Sequence, residues 1–457
     1  MKIRHIHKIA LVVSLAVLAA CGKKLDVAPG TQISPDQIQT EGDVQAVLLG
    51  CYQNLQDPNS FGERFLLIPD LVATNGEEAF QGTFLNYRQY QLHTQLKTSD
   101  IAEAIWARSF ATINNANIVL GKLDKVSSAN RAAIGAEAKF IRGTVYFMLS
   151  GLYGKPYSAG SATTDLAVPL VLDPIIGQAD LAKGYVARAT VDAVQAQAIK
   201  DLTDAVAGLP AEQSNGRADK FAAYAFLSRI YLAQGKYNEA AAVADSVITN
   251  GHFQLTSSFD KAFNNATNSS EDIFAIQQTN QSNAGTSNNG LQTFYAGRSF
   301  GGRGDIPVNM DKIDGFEDTD VRKGFTYEDY GINVGDGFYT NKWKQQYKVI
   351  PVVRLAEMYL TRAEANLRAG TAVGATPLSD VNLIRQRSGA SAWTAVTADD
   401  VVAERLRELA FEGDKFWTLK RLKKNFGQLD YLDNKLVFPV PQREIDANSK
   451  LTQNPGY

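Results

Sequence analysis

Two amphipathic helical stretches on either side of Gly235 constrain the fold of this chain more than any other feature of its sequence. Leu227 and Tyr231 share one face of the first stretch, and Ala240 and Ala244 share one face of the second. Apolar residues three or four positions apart indicate amphipathic helices. Alanines let two helices approach closely, and glycine adopts the left-handed backbone that a tight turn needs. The sequence therefore predicts an antiparallel helix pair here.

This pair has a counterpart later in the chain. The segment 221–250 resembles the tetratricopeptide repeat. A second pair is predicted between Leu355 and Gly389, where Thr376 and Pro377 start the second helix with proline at its first position. The glycine lies where a left-handed C-terminal cap is needed. Such pairs cannot bury their apolar faces alone, so we expect them to stack into a superhelix.

Three further stretches predict long single helices. Residues 105–123, 134–152 and 191–206 each carry their apolar residues on one helical face. Thr190 is the predicted N-cap of the third stretch. A chain of 457 residues, 45% of them apolar, can bury a large core. We therefore predict a mainly α fold, a tetratricopeptide-like superhelix of helix pairs.

The helical pattern breaks between residues 277 and 349. Residues 280–290 form a polar stretch rich in Asn, Ser and Gly. Eleven of the 57 residues at 291–347 are aromatic, against 10% of the whole chain. We predict a loop-rich, aromatic-rich insert that contains short strands. Irregular stretches of this length inside a compact domain are usually functional.

The N-terminus has the pattern of a secretory signal peptide. Residues 1–8 are rich in basic side chains, residues 9–18 are almost wholly apolar, and Leu-Ala-Ala precedes Cys21. The apolar run is too short for a membrane-spanning helix. A cysteine directly after Leu-Ala-Ala resembles the lipobox of bacterial lipoproteins. This implies that residues 1–20 are cleaved and that a covalent lipid on Cys21 holds the protein on a membrane, outside the cytoplasm. An ordinary cleaved secretory peptide is the alternative.

Cysteine and histidine are scarce, and this excludes several kinds of site. Cys51 is the only cysteine besides Cys21, and His93 and His252 are the only histidines beyond the signal peptide. A His/Cys metal cluster is therefore excluded, and a Ser-His-Asp triad is disfavoured. The net charge of −2 comes without the basic stripe that nucleic-acid binding needs. We expect no metal, no nucleic-acid partner and no cofactor besides the lipid.

Five motifs occur in order along the mature chain. They are LDVAP at 25–29, AEAKFIRG at 136–143, VRLAEMYLTRAEA at 353–365, RELAFEG at 407–413 and QNPGY at 453–457. Together they resemble the SusD/RagB family. Members of that family are surface lipoproteins that capture nutrients for a TonB-dependent outer-membrane transporter.

The resemblance implies a function and a domain organisation. The chain is expected to lie on the outer membrane, facing the cell exterior, and to bind glycans for a SusC-like transporter without enzymatic activity. An oligopeptide ligand is the alternative within the family. The expected organisation is a signal peptide at 1–20 and one domain at 21–457, divided into a tether (22–41), a helical core (43–275 and 350–425), a ligand-binding insert (277–349) and a C-terminal segment (426–457).

Two segments offer side chains suited to a sugar ligand. The apolar C–H face of a sugar packs well against an aromatic ring, and amide or guanidinium groups orient its hydroxyls. About half of the aromatic residues in the insert are expected to belong to its core, because aromatic rings are mostly buried. The candidate ligand-binding residues are Asn75, Phe80, Phe84, Tyr87, Phe294, Tyr295, Phe300, Arg303, Phe338 and Tyr339.

Charged residues within the family motifs are interpreted as structural. We expect Arg354, Glu357, Glu364 and Arg407 to satisfy one another or helix ends, and Trp343 to pack inward. Two other functions stay open. A repeat scaffold in the envelope could bind protein partners on its concave face, and a secreted hydrolase could act through two carboxylates that no motif singles out.

Overall fold

The computed structural model describes residues 37–212 and 216–457, and within them the chain forms fifteen α-helices and six short strands. The helices are α1 (Glu41–Gln56), α2 (Arg64–Ala73), α3 (Leu85–Gln91), α4 (Asp100–Gly121), α5 (Ser128–Tyr153), α6 (Leu181–Gly184), α7 (Val191–Gly208), α8 (Lys220–Ala233), α9 (Tyr237–Asn250), α10 (Leu291–Tyr295), α11 (Leu355–Ala369), α12 (Pro377–Arg387), α13 (Ala398–Glu408), α14 (Asp414–Arg421) and α15 (Gln442–Ala447). The strands are β1 (Leu166–Pro169), β2 (Arg188–Thr190), β3 (Asp272–Ile276), β4 (Thr326–Gly331), β5 (Gly335–Thr340) and β6 (Ile350–Arg354). This is the mainly α fold that the sequence predicts.

The predicted signal peptide, Cys21 and most of the predicted tether lie outside the described residues. Among the helices that the structure does describe, none combines the length and the apolar character needed to cross a membrane.

Long helices form the N-terminal half of the core. The apolar stripe predicted at 134–152 lies on α5 and is buried, and α5 packs along α7. Gly143 permits this contact, because an added Cβ would lie 3.0 Å from the carbonyl oxygen of Ala198. Thr190 caps α7 as predicted, since its side chain accepts a hydrogen bond from the backbone N–H of Ala193.

Both predicted helix pairs are present. Helices α8 and α9 pack together and are joined through Gly235, whose φ is +70°. Helix α11 packs against both α9 and α12, so the two pairs share one stack. Thr376 caps α12, Pro377 occupies its first turn, and Gly389 follows it with a φ of +75°. The tetratricopeptide-like arrangement is thus confirmed.

Buried ion pairs connect these helices, as expected for the charged motif residues. Glu357 accepts hydrogen bonds from Arg229 at 2.7 Å and from Arg405 at 3.0 Å. Burial alone would raise the pKa of Glu357, but these two guanidinium groups outweigh it and lower the pKa to about 2. Glu364 is paired with Arg421 at 2.6 Å. Both glutamates thus pair with arginines of other helices, and neither pairs with Arg354 or Arg407.

Strands interrupt the ranges assigned to the helical core. β1 and β2 fall within 43–275, β3 overlaps the end of that range, and β6 occupies 350–354, ahead of α11. β6 is rich in β-branched residues, all five of its side chains are buried, and it pairs antiparallel with β3, so tertiary contacts favour a strand there. Arg354 therefore ends a strand, and its guanidinium group reaches Glu271, Glu408 and Glu412.

Candidate functional site

Two distant segments carrying the predicted ligand-binding residues lie side by side. Residues 78–81 run antiparallel to residues 305–308, with an isolated bridge between Glu78 and Val308. The next strand is β5, because the N–H of Val308 donates to the carbonyl of Phe338 at 2.8 Å. The insert and the segment that follows α2 therefore form one continuous surface.

Three of the predicted rings hold these segments together from inside. The ring centroids of Phe80 and Tyr87 are 5.1 Å apart, and those of Tyr87 and Phe294 are 4.9 Å apart. The Tyr87 hydroxyl donates to Glu63, which also accepts a hydrogen bond from the N–H of Gly290. All three rings are buried.

Tyr295 and Tyr339 are also buried. The Tyr295 hydroxyl donates to Oε2 of Glu78 at 2.6 Å, and the Tyr339 hydroxyl donates to the carbonyl of Gly304 at 3.2 Å. The sequence predicts that about half of the aromatic residues in the insert are core residues. In the structure, five of the ten predicted ligand-binding residues present no ring face to solvent: Phe80, Tyr87, Phe294, Tyr295 and Tyr339. The insert packs against α3 and its neighbours, so these rings are covered by other side chains. No ring face is left for a sugar to cover.

Phe84 and Arg303 meet at the outer edge of this cluster. The guanidinium carbon of Arg303 lies 4.9 Å from the ring centroid of half-buried Phe84. Nε of Arg303 donates to the fully buried Asp305 at 2.7 Å. Gly82 makes room for this carboxylate, because a Cβ there would lie 2.4 Å from its Cγ. The ion pair fixes the guanidinium group beside the ring, with 19% of the arginine side chain exposed.

Phe300 belongs to a second cation–aromatic contact. Nζ of Lys344 lies 4.2 Å from the ring centroids of both Phe300 and Tyr327. The two rings pack edge to face at 5.2 Å. Phe300 is 37% exposed, so part of the ring remains available to a ligand.

The outer face of the β4–β5 hairpin exposes two aromatic rings. The register pairs Glu328 with Phe338 and Tyr330 with Asp336, which places all four side chains on one face. Tyr330 and Phe338 are each 52% exposed and lie diagonally across the two strands. Exposed rings flanked by carboxylates can bind an apolar sugar face together with its hydroxyls.

Asn75 lies apart from these rings, at the mouth of a cavity of about 230 Å³. We call this cavity the seam cavity, because it lies where the segment after α2 meets the insert and the start of α14. Its lining consists of Asp70, Asn75, Glu77, Glu78, Lys312, Ile313, Asp314, Ala403, Leu406, Leu409, Ala410, Phe411, Asp414 and Lys415.

The groups that stay at least partly exposed are the candidate ligand-binding groups, and we call them together the aromatic surface: Phe84, Phe300, Arg303, Tyr330 and Phe338. Tyr330 and Phe338 lie on the outer face of the hairpin, whereas Phe300 packs on Tyr327, whose side chain lies on the opposite face. Tyr330 was not among the predicted residues. The alternation of exposed and inward residues along β4, in register with Phe338, is the signal that would have identified it.

Two family models match most of the chain. A SusD-like model described as "Starch-binding associating with outer membrane" matches residues 25–232, and a SusD/RagB model described as "SusD family" matches residues 330–457. The matches leave out residues 233–329, which include Phe300 and Arg303.

Relatives and solved structures agree with these matches. SusD-like protein P2 of Formosa agariphila is 24% identical over an alignment that covers 99% of each chain. The starch-binding protein SusD of Bacteroides thetaiotaomicron is 30% identical, over 34% of this chain and 29% of its own. A crystal structure of a SusD superfamily protein from the same species is 25% identical, covers 91% of this chain and 100% of its own, and superposes with a TM-score of 0.79. A sugar-binding protein structure from Bacteroides vulgatus, described as putative, has the same TM-score at 24% identity, over 93% of this chain and 100% of its own.

Proposed function

The chain belongs to the SusD/RagB family, and on that premise we propose that it is a lipid-anchored protein of the outer membrane that binds nutrient glycans. In this proposal the aromatic surface holds the glycan without changing it chemically. The glycan then passes to a TonB-dependent, SusC-like transporter.

The exposure of Tyr330 and Phe338 is the observation that carries this proposal. Both rings are half exposed on a two-stranded hairpin that is hydrogen-bonded to the segment beside it. Neighbouring exposed rings form a contiguous apolar patch, and such patches can mark binding surfaces. Arg303, fixed beside Phe84 by its ion pair with Asp305, supplies further donors for hydroxyl groups.

Titration calorimetry with a panel of oligosaccharides tests whether the protein binds glycans through the aromatic surface. We expect at least one glycan to bind wild-type protein and to bind Tyr330→Ala more weakly. Leu181→Ala is the matched control, since Leu181 is 60% exposed on α6, outside the aromatic surface. Equal affinities for all three proteins would show that the hairpin face does not bind glycan. Release of shorter sugars from the same panel would contradict binding without chemistry.

The transporter and the lipid anchor need a test in cells. We expect mild detergent extracts to yield the protein together with a large outer-membrane barrel. Cys21→Ala removes the thiol that would carry the lipid, so this variant should appear in the soluble fraction. Several buried acyl chains hold a protein on a membrane almost permanently, because each CH₂ contributes about 0.8 kcal/mol. If the Cys21→Ala variant stays on the membrane, the proposal of a lipid anchor on Cys21 is wrong.

An oligopeptide is the second candidate ligand, and two carboxylates favour it. Glu328 and Asp336 are exposed beside Tyr330 and Phe338, where they could pair with basic side chains of a peptide. A panel of basic and acidic peptides in the same calorimeter distinguishes the two ligand classes. If basic peptides bind tightly and added salt weakens this binding, the ligand in the proposal becomes an oligopeptide and not a glycan.

A further inference from the structure

The seam cavity contains carboxyl groups that the proposed function does not use. Of the five acidic residues in its lining, two have nearby cationic partners. Glu77 is paired with Lys415, and Asp414 is paired with Arg405. In each of these two salt bridges, the positive charge of the partner neutralises the carboxylate.

Asp70 and Glu78 form no ion pair with any described residue, although Lys415 lies near enough to Glu78 to lower its pKa slightly. Oδ2 of Asp70 accepts a hydrogen bond from the N–H of Gly413 at 2.7 Å, and Oε2 of Glu78 accepts one from the Tyr295 hydroxyl at 2.6 Å. Both donors are neutral. Asp70 is 6% exposed and Glu78 is 2% exposed, so water does not compensate for the missing partner.

Glu78 also has an oxygen without any hydrogen bond. Its Oε1 is buried and finds no donor among the described residues. Buried polar atoms are nearly always satisfied, and an exception in the lining of a cavity needs an explanation. A ligand that brings its own donors into the cavity would satisfy this oxygen.

We propose that the seam cavity is a binding site for a primary ammonium group, with Oε1 of Glu78 and the carboxyl group of Asp70 as its acceptors. An ammonium group has three N–H donors and no acceptor, which complements a lining of carboxyl oxygens. The cavity volume of about 230 Å³ accommodates a small polar body attached to the amine, such as an amino sugar. This site is separate from the aromatic surface, so either one can fail without the other.

Without a ligand, the surroundings of the two carboxyl groups favour their protonated, neutral forms over the carboxylates. Burial raises the pKa of Glu78 to about 8, and burial together with the neighbouring Glu78 raises the pKa of Asp70 well above its usual value. An entering ammonium ion favours the ionised carboxylate, so binding near neutral pH should release a proton. The other charged or titratable groups around the two carboxyls are Glu77, Tyr295, Lys312, Asp314, Asp414 and Lys415.

Calorimetry with matched sugars tests this site. Glucosamine carries an ammonium group where glucose carries a hydroxyl and N-acetylglucosamine a neutral amide. At pH 6.5 we expect glucosamine to bind about tenfold or more tightly than the two neutral sugars, because charge-assisted hydrogen bonds are the strong ones. Titrations in two buffers of different ionisation enthalpy should reveal the released proton. Equal affinities for the three sugars would overturn the proposal.

Two variants test whether Glu78 causes the preference for glucosamine. Glu78→Gln keeps the shape of the side chain and removes its ability to ionise, so the preference for glucosamine and the proton release should both disappear. Asp318→Asn is the matched control, since the Asp318 side chain is 98% exposed, lies outside the cavity lining and should leave the preference unchanged. Circular dichroism and the thermal midpoint report whether Glu78→Gln folds, and Asp70→Asn provides an independent second variant. A folded Glu78→Gln protein that retains the preference would contradict the assignment.

Ethylamine identifies the source of the recognised group. If ethylamine competes with glucosamine, the ammonium group is sufficient for binding. If it does not compete while glucosamine still outbinds glucose, the sugar body contributes to the same site.

Discussion

Buried glutamates behave differently in two regions of the molecule. One is the helical array, the stack formed by α8, α9, α11 and α12 with the helices packed on it; the other is the seam, where the segment after α2 meets the insert and the start of α14. In the array, Glu357 lies between Arg229 and Arg405, and its pKa is lowered to about 2. At the seam, Glu78 is equally buried but receives a hydrogen bond from a neutral tyrosine, and burial raises its pKa to about 8. Burial therefore does not decide the charge of a carboxyl group; the partner does.

The aromatic residues show the same contrast. Phe294 and Phe338 both belong to the insert, and both were predicted to bind ligand. Phe294 is fully buried between the rings of Phe80, Phe84 and Tyr87, whereas Phe338 is 52% exposed on the hairpin. One ring attaches the insert to the array, and the other is available for binding.

The largest effect is expected from Glu357→Gln. This change leaves two buried arginines short of their carboxylate, so the free energy of unfolding should fall by about 3–5 kcal/mol. The same substitution at Glu78 is the matched control. It should change stability by less than about 1 kcal/mol at pH 4.5, where Glu78 is neutral like glutamine, because no buried cation is left unpaired. Urea unfolding measures both values, and similar losses at the two sites would remove the distinction between array and seam.

Phe294→Ala is expected to destabilise the protein somewhat less. Removing a buried ring costs about 3–5 kcal/mol, and we expect the lower end of this range because neighbouring rings can move into part of the space. The expected loss is therefore about 3 kcal/mol in urea unfolding. A loss below about 1 kcal/mol would show that the ring does not attach the insert.

Changes in pH should act on the two glutamates in opposite directions. The lowered pKa of Glu357 gives stability that is complete above the ordinary value of 4.5 and is lost as the pH falls towards 2. The raised pKa of Glu78 gives stability that is complete below 4.5 and is lost as the pH rises through 8.

Stability curves of the two glutamine variants test this opposition. The advantage of wild type over Glu357→Gln should narrow by about 2 kcal/mol on acidification, since local relaxation offsets part of the pKa shift. Relative to wild type, Glu78→Gln should become more stable between pH 4.5 and 8, across the window set by its pKa. Parallel curves for wild type and Glu78→Gln would mean that folding does not raise the pKa of Glu78.

Phe338→Ala should have the smallest effect on stability and a clear effect on binding. The free energy of unfolding should change by less than about 0.5 kcal/mol, because the ring is half exposed. Glycan affinity should fall about tenfold, or ~1.4 kcal/mol, through loss of the stacking face. Calorimetry and urea unfolding on the same sample give the two numbers. Loss of stability without loss of affinity would assign the ring to the fold.

Much of the helical array could be predicted from local sequence. Gly235, Thr190 and the Thr376-Pro377 pair mark helix ends through short-range rules of backbone geometry and capping, and all of them hold in the structure. The seam could not be predicted in this way. The hydrogen bond from Tyr295 to Glu78 joins residues 217 positions apart, and no local pattern encodes it.

The sequence by itself determined the helices, their caps and the family, because periodicity and motif order are properties of neighbouring residues. Tertiary structure alone decided which rings are buried, which carboxyl groups have cationic partners, and that β6 is a strand. The physical reason is that burial and charge depend on what other parts of the chain bring into contact. Phe294 and Phe338 therefore look alike in sequence and are placed in different environments by the fold.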